Sequence, residues 1–335
     1  KQYPGKKKKQ KPAETPTYEE PYPESTEPSS VYVLTEEVQY ANGHDLKPYY
    51  TVPQWDALSQ AEQLHLLHVE PKGGFNQQKN ESIEWALWSW NPVTGCEHNC
   101  PYCYARDIAN RFYDGYGFTP VLHPARLHIP ENATLPQKAA EQLGLKNVFV
   151  CSMADLFGKW VPKEWIQAVL QSCSLAPQWN FLFLTKFPNR LTEFEFPDNA
   201  WVGTSVDAQA RVANAEKAFQ KVKAAVKWLS CEPLLEPLQF TSLKMFHWVV
   251  IGGASRSEET PEYRPPRKWV VELESAALQA GCQIYEKSNL HGEDRLREYP
   301  GAPMKEKYPP ELQHFDYPLL AHGRKEKQGN IVLPA

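Results

Sequence analysis

Between Ile83 and Tyr285 the chain alternates short continuous apolar runs with amphipathic helical stretches, and this alternation limits the fold more than any other feature. The apolar runs are Trp85–Trp90, Asn147–Val150, Phe181–Leu184, Trp201–Val206, Lys227–Ser230, His247–Ile251 and Cys282–Tyr285. Helical periodicity marks Asp107–Tyr113, Pro162–Cys173, Ala208–Val222 and Arg267–Ala280, the last ended by Gly281. In Pro162–Cys173 the residues Trp165, Ile166, Val169, Leu170 and Cys173 share one face; in Ala208–Val222 the set is Val212, Ala215, Phe219 and Val222. Runs without polar alternation are buried on both faces, as in parallel sheets covered by helices. About seven of them predict an α/β fold, a complete or partial (β/α) barrel rather than a sandwich.

Barrels of this kind collect function at the C-terminal ends of their strands. After the first run comes a cysteine loop. The later runs are followed in turn by Ser152 and Asp155, by Thr185 and Lys186, by Thr204, Ser205 and Asp207, by Glu232, by Gly252 and Gly253, and by Glu286 and Lys287. Any one of these is also a plain turn or cap residue; for Asp155 and Asp207 a helix N-cap is an equal reading. Their recurrence around the sheet carries more weight than any member.

The cysteine loop reads Cys96-Glu97-His98-Asn99-Cys100-Pro101-Tyr102-Cys103. Three thiolates at this spacing can hold three irons of a 4Fe-4S cluster and leave the fourth open, whereas an electron-carrying cluster takes four cysteines. His98 could close a Cys3His zinc site, but structural zinc ligands usually come as two separated couples and no second couple follows. Its other reading is a solvent-facing loop residue. The remaining cysteines, Cys151, Cys173, Cys231 and Cys282, read as buried small hydrophobes; in a sharper reading Cys151 and Cys231, near strand ends, approach the site.

The loop resembles the radical S-adenosylmethionine (radical SAM) signature, in which an aromatic, here Tyr102, precedes the third cysteine. With Trp90-Asn91-Pro92-Val93-Thr94-Gly95 before it and Tyr104-Ala105-Arg106 after, the segment resembles radical-SAM-like phage proteins of the gp thirty-seven/gp sixty-eight type, a family of unknown function. It resembles the spore-photoproduct-lyase-like DNA repair enzymes more distantly. Blocks at Cys151–Phe157, Leu184–Lys186, Val202–Asp207, Ser230–Pro233 and Ile251–Gly253 extend the first resemblance over roughly residues 81 to 290. It implies a partial (β/α) barrel of the radical SAM type, with Cys96, Cys100 and Cys103 as metal ligands of a 4Fe-4S cluster. S-adenosylmethionine would chelate the open iron and be cleaved by one electron from an external donor. The implied cofactor-binding residues are Tyr102 near the adenine, Ser152, Thr204, Ser205 or Glu232 at the methionyl or ribose groups, and Gly252 and Gly253 where backbone approaches. An ordinary strand-to-loop turn is the other reading of the two glycines. A nucleic-acid substrate is implied only by the repair-enzyme neighbourhood. No single catalytic residue is singled out.

The division expected along the chain is a Pro-, Lys- and Glu-rich tail over 1–30, an extension over 31–80, the barrel over 81–295, and a C-terminal tail over 296–335 that wraps the surface or frays. In the extension Val31–Leu34 reads as a strand and Pro53–Leu67 as a helix, before the break at Gly73-Gly74. The basic run Lys6–Lys9 precedes acids from Glu14 to Glu27 and reads as a solvated tail. Starting at Lys1, the chain is expected to be a fragment or a processed product. A net charge of −4 over 335 residues excludes a uniformly basic nucleic-acid binder, while leaving room for a local basic groove. No apolar run nears the ~20 residues that span a bilayer, and seven cysteines with three clustered fit a reducing cytoplasm. Neither a Walker-type phosphate loop nor a readable Ser-His-Asp order is present. Two functions stay open: a radical SAM enzyme, or a non-catalytic iron-sulfur or zinc module that regulates or binds DNA. Oligomeric state is not readable.

Overall fold

The computed structural model describes residues 47–78, 83–113, 116–136, 143–256, 261–291 and 295–301. The strand expected at Val31–Leu34, the N-terminal tail and everything past residue 301 lie outside the described residues.

Strand β1 (Tyr50–Thr51) runs into helix α1 (Val52–Asp56), and α2 (Gln60–Leu67) follows after three residues. The single helix expected over Pro53–Leu67 is therefore two. Ser59 causes the break: its hydroxyl accepts from the Glu62 N–H, and the Glu62 carboxylate accepts from the Ser59 N–H at 2.8 Å. This reciprocal cap starts a new helix. Trp55 anchors the first one against Trp165, ring to ring at 5.8 Å.

Strand β2 (Asn76–Gln77) pairs antiparallel with β3 (Trp88–Trp90), which is shorter than the expected Trp85–Trp90 because Trp85 leaves the ladder for the interior. Next, β4 (Val93–Thr94) joins β1 and β5 (Val121–Leu122) in a small antiparallel sheet. Between β4 and β5 lie the cysteine loop and α3 (Tyr104–Phe112), whose start falls three residues before the expected Asp107. After α4 (Ile129–Asn132) come β6 (Asn147–Val150), α5 (Lys163–Ser174), β7 (Asn180–Thr185), β8 (Ala200–Ser205), α6 (Val212–Phe219), β9 (Val226–Cys231), β10 (Trp248–Ile251), α7 (Arg267–Gln279) and β11 (Gln283–Glu286). The helix expected over Ala208–Val222 divides into a 3-10 turn, Gln209–Arg211, and the shorter α6, yet Val212, Ala215, Phe219 and Val222 are all buried as their spacing predicts.

The fold is α/β with one large, mostly parallel sheet. Strands β3, β6, β7, β8, β9, β10 and β11 pair in chain order, all parallel; β2 is the antiparallel edge. Alternate residues separate into two cores. Val148, Phe181, Val202, Leu229, Val249 and Ile284 pack with the buried faces of α5, α6 and α7. Phe149, Leu182, Trp201, Trp228, Trp248 and Tyr285 form the other core, joined by Trp85 and Tyr299.

Trp85 reports the curvature. Its ring lies 4.7 Å from Phe149 on β6 and 5.1 Å from Trp228 on β9. Those strands lie three spacings, about 14 Å, apart in a flat sheet; their rings meet on this indole, and the curl of the sheet brings Glu84, ahead of β3, to Ser288, past β11. Glu84, 4% exposed, stitches the edges. It accepts from the Ser288 N–H at 3.0 Å, just past β11, and from Arg297 at 3.0 Å.

Residues 296–301, the described part of the stretch expected to wrap the surface or fray, are instead packed inward, with Leu296, Glu298 and Tyr299 buried. The Glu298 N–H donates to the Ile284 carbonyl at 2.8 Å, and Tyr299 stacks on Trp248 at 5.4 Å. Its hydroxyl donates to the Trp85 carbonyl at 3.1 Å. The aromatic core needs this segment to complete it.

Two stability predictions follow from this packing. Trp85→Ala should cost about 3–5 kcal/mol in urea unfolding, since one side chain touches both arms of the curl. His123, 5% exposed beside β4, contacts the Thr94 hydroxyl at 2.9 Å; burial, then the Arg126 charge, lowers its pKa from 6.5 to about 3. The neutral ring is the folded form, so below 6.5 the unfolded chain gains a proton that the folded one does not, and stability falls with pH until about 3. From pH 6.5 to 5 this group should remove about 1.5 kcal/mol, a slope that His123→Gln should lack.

Candidate functional site

The small antiparallel sheet launches the cysteine loop. Gly95, at φ +92°, turns the chain where an added Cβ would lie 2.1 Å from the Thr119 carbonyl oxygen. The Gly95 N–H donates to Met153 and the Cys96 N–H to Phe118, fixing the entry. Arg106 reaches back from α3 to the Asn99 side chain and, at 3.0 Å, to the Cys100 carbonyl. Cys103 occupies the N-cap position of α3. Cys96, Cys100 and Cys103 are all unpaired, half-buried, and on the wall of one cavity of about 250 Å³. Burial, and after it the Asp155 charge, pushes the Cys96 thiol up to about 12. Burial raises Cys100 too, with the Lys186 ammonium acting the other way. Both therefore hold their protons at neutral pH.

The end of β7 clamps this loop from inside. The Lys186 N–H donates to Asp155 Oδ2 at 2.9 Å, and the same oxygen meets His98 Nε2 at 2.7 Å. Burial would raise Asp155, but the His98 contact and the backbone donor outweigh it and hold the carboxyl below its usual range. Rather than facing solvent, the His98 side chain is 5% exposed, packed on Phe187 and Trp160 with ring centroids at 4.6 and 5.0 Å. Lys186 Nζ donates to the Tyr102 hydroxyl at 2.8 Å and to Asp207 at 2.9 Å; Tyr102 also donates to Asp207. Arg211 Nε completes the cluster on Asp207 at 2.6 Å. Burial opposes ionisation of Asp207, yet Lys186 and Arg211 bring its pKa to about 2. Asp155 and Asp207 are thus loop braces rather than helix N-caps.

On the other wall, Lys287 Nζ meets Glu232 Oε2 at 2.7 Å, while Ser230 and the Trp85 indole N–H each donate to Oε1 at 3.1 Å. Gly252 does not line the cavity. It makes room for this pair, since a Cβ there would come 2.9 Å from Lys287 and 3.2 Å from Glu232. Gly253 does line it, with a Cβ position only 2.1 Å from the Tyr263 carbonyl oxygen.

Of the residues expected from the sequence, the structure brings Cys96, Cys100, Cys103, Tyr102, Ser152, Ser205, Glu232 and Gly253 to the cavity. Thr204 is not there: it is 1% exposed and its hydroxyl donates to the Thr185 carbonyl at 2.8 Å, a ladder role between β7 and β8. Cys151 and Cys231 belong to the helix-facing core and do not line the cavity, so the buried-hydrophobe reading holds for them. Trp85, Tyr104 and Ser230 are lining residues that the sequence did not single out. The Glu232–Lys287 pairing had no local signal beyond both residues following strands. Among the described residues no three His, Cys, Asp or Glu side chains come together as a ligand set for a single metal ion, and no helix is long and apolar enough to cross a membrane.

Fold and site together define an α/β protein whose curled parallel sheet carries a cysteine-lined cavity at its strand ends. The chain belongs to the family described as Protein of unknown function (DUF5131), which it matches over residues 80–325. Neither the curated proteins nor the solved structures compared with it gave a match.

Lys186→Met should loosen the loop without unfolding the sheet. Amide hydrogen exchange over residues 97–103 is expected to rise about tenfold, with β9 and β10 unchanged, and Lys186→Arg should restore most of the protection.

Proposed function

We propose that the chain is a radical SAM enzyme, with the curled sheet as its partial (β/α) barrel. One observation carries the reading: the ends of β6 to β9 and the residues just after β10 and β11 face a cavity whose wall also holds all three loop cysteines.

Three cysteine thiols on one cavity wall are a donor set that would hold three irons of a 4Fe-4S cluster, one iron to each sulfur. His98 also turns its Nε2 to Asp155, which disfavours the Cys3His zinc alternative. Cys96, Cys100 and Cys103 would hold the cluster. When bound, it would supply one-electron cleavage of the carbon–sulfur bond of S-adenosylmethionine, giving a 5′-deoxyadenosyl radical that takes a hydrogen atom from substrate.

The protein's own part is positional. Asp155, Asp207 and Lys186 keep the loop in place before any ligand arrives. Ser152, whose hydroxyl donates to Asn91 Oδ1 at 3.2 Å, and Ser205 both line the cavity, and Ser205 Oγ would be open to a ribose. Tyr102, its hydroxyl engaged by Lys186 and Asp207, would present its ring rather than its oxygen to an adenine. Glu232, tied to Lys287, Ser230 and Trp85, forms a rigid polar wall for substrate or cofactor. Trp85, Phe149 and Leu184 give the cavity an apolar side that limits water near a reactive intermediate.

Anaerobically reconstituted protein with dithionite should convert S-adenosylmethionine to 5′-deoxyadenosine, detected by chromatography. Cys96→Ala, Cys100→Ala and Cys103→Ala should each abolish the product, and Cys173→Ala, in the helix-facing core, should not. Equal yields in all of these proteins would refute the reading.

A further inference from the structure

One charged side chain on the cavity wall is left over when the ion pairs are matched. His98 meets Asp155, Lys186 meets Asp207, and Lys287 meets Glu232. Arg256 also lines the cavity and is exposed, which places it at the mouth. Among the described residues it takes part in no ion pair or hydrogen bond.

The backbone that leads to Arg256 is pinned. Ala254 and Tyr263 exchange N–H to carbonyl bonds in both directions at 2.9 Å. The Asn289 side chain accepts from the Gly253 N–H at 2.9 Å, and donates to the Gly253 carbonyl at 2.8 Å and to the Ser255 hydroxyl at 3.3 Å. Tyr263 is itself tied down, its hydroxyl donating to the Leu234 carbonyl at 3.1 Å. An unpaired guanidinium therefore follows directly on a fixed base.

Its position says what it can bind. The loops after β6, β7 and β8 supply Asp155, Lys186 and Asp207, which brace the cysteines. Those after β9, β10 and β11 supply Glu232, Arg256 and Lys287 on the other wall. There two cations face one carboxylate, an excess of one positive charge. Trp85, Phe149 and Leu184 form apolar surface in the same cavity, and low-dielectric walls strengthen such a field. Under the proposed function the amino and carboxylate groups of S-adenosylmethionine lie at the cysteines, and its adenosine carries no negative charge. Nothing on the cofactor matches Arg256.

We infer that Arg256 anchors an oxyanion, a phosphate or a carboxylate, on the substrate that enters this cavity. The inference rests on the proposed function, which assigns the cysteine side to the cofactor. A guanidinium presents two parallel N–H donors to such a group, and an exposed one loses little hydration in doing so. The substrate then lies with its anionic end at the mouth and the carbon that loses hydrogen turned inward.

Modification of arginines by phenylglyoxal, read site by site by peptide mass spectrometry on the full, cluster-free chain, tests this. The probes are inorganic phosphate, acetate and an oligothymidylate. Arg111, exposed and not part of the cavity wall, is the internal reference. An anion that leaves Arg111 unchanged should slow modification of Arg256 about tenfold. Protection by phosphate marks a phosphorylated substrate, by acetate a carboxylate, and by the oligothymidylate at lower phosphate content a nucleic-acid backbone; each supports the inference. It is overturned if no anion protects Arg256 more than Arg111. It is also overturned if S-adenosylmethionine, added to reconstituted protein, displaces phosphate from Arg256, because the cofactor's own carboxylate would then be the occupant. Protection in the cluster-free chain needs no turnover, so failure to cleave S-adenosylmethionine refutes the proposed function and still leaves the anion site decided.

Discussion

The indole of Trp85 fills the inner side of the curled sheet. It touches rings of β6 and β9 at once, strands that a flat sheet would hold three spacings apart. Most of what is distinctive about the site depends on that bend. Parallel strands in chain order all present their C-terminal ends on one side, and several of those ends line one cavity. Glu84 then ties the two edges together. The indole N–H also holds Glu232, so one residue fills the curl and steadies one wall of the cavity.

Beside that cavity the cysteine loop is held by charge as well as by apolar packing. Asp155 and Asp207 are buried carboxylates kept ionised by close donors, and Lys186 serves both, one through its backbone and one through its ammonium. Removing either partner would leave a buried charge unmatched, which is why such networks define a single arrangement. The thiols beside them are pushed the other way, toward their protonated form. The geometry of the loop is thus set by its buried ion pairs, and its thiols rest in the protonated form.

Much of this was readable from residue order. Every strand of the parallel sheet lies where an apolar run stands, and the helix faces of α5 and α6 bury the residues that helical spacing picks out. Local rules failed where a tertiary partner or a cap intervened. Ser59 and Glu62 split one helix into two by a reciprocal cap that the apolar spacing concealed. Trp85 looked like strand and became interior filler, because the curl needed an aromatic more than the ladder needed a residue. Tyr299, in a Pro-rich charged stretch, is fully buried against Trp248. In the site, strand-end position identified most lining residues but not their pairings: His98 with Asp155 and Glu232 with Lys287 are 57 and 55 residues apart in sequence, and only the fold brings them together. Thr204 shows the converse, a strand-end hydroxyl spent on the sheet itself.

The central claim, that three cysteines share one iron-sulfur cluster, is tested most directly by elemental analysis of oxygen-free protein. Iron and acid-labile sulfide should each approach about four per chain, and each should fall when any one of Cys96, Cys100 or Cys103 is replaced by alanine. Zinc in place of iron with no labile sulfide, or iron and sulfide retained in all three variants, would contradict it.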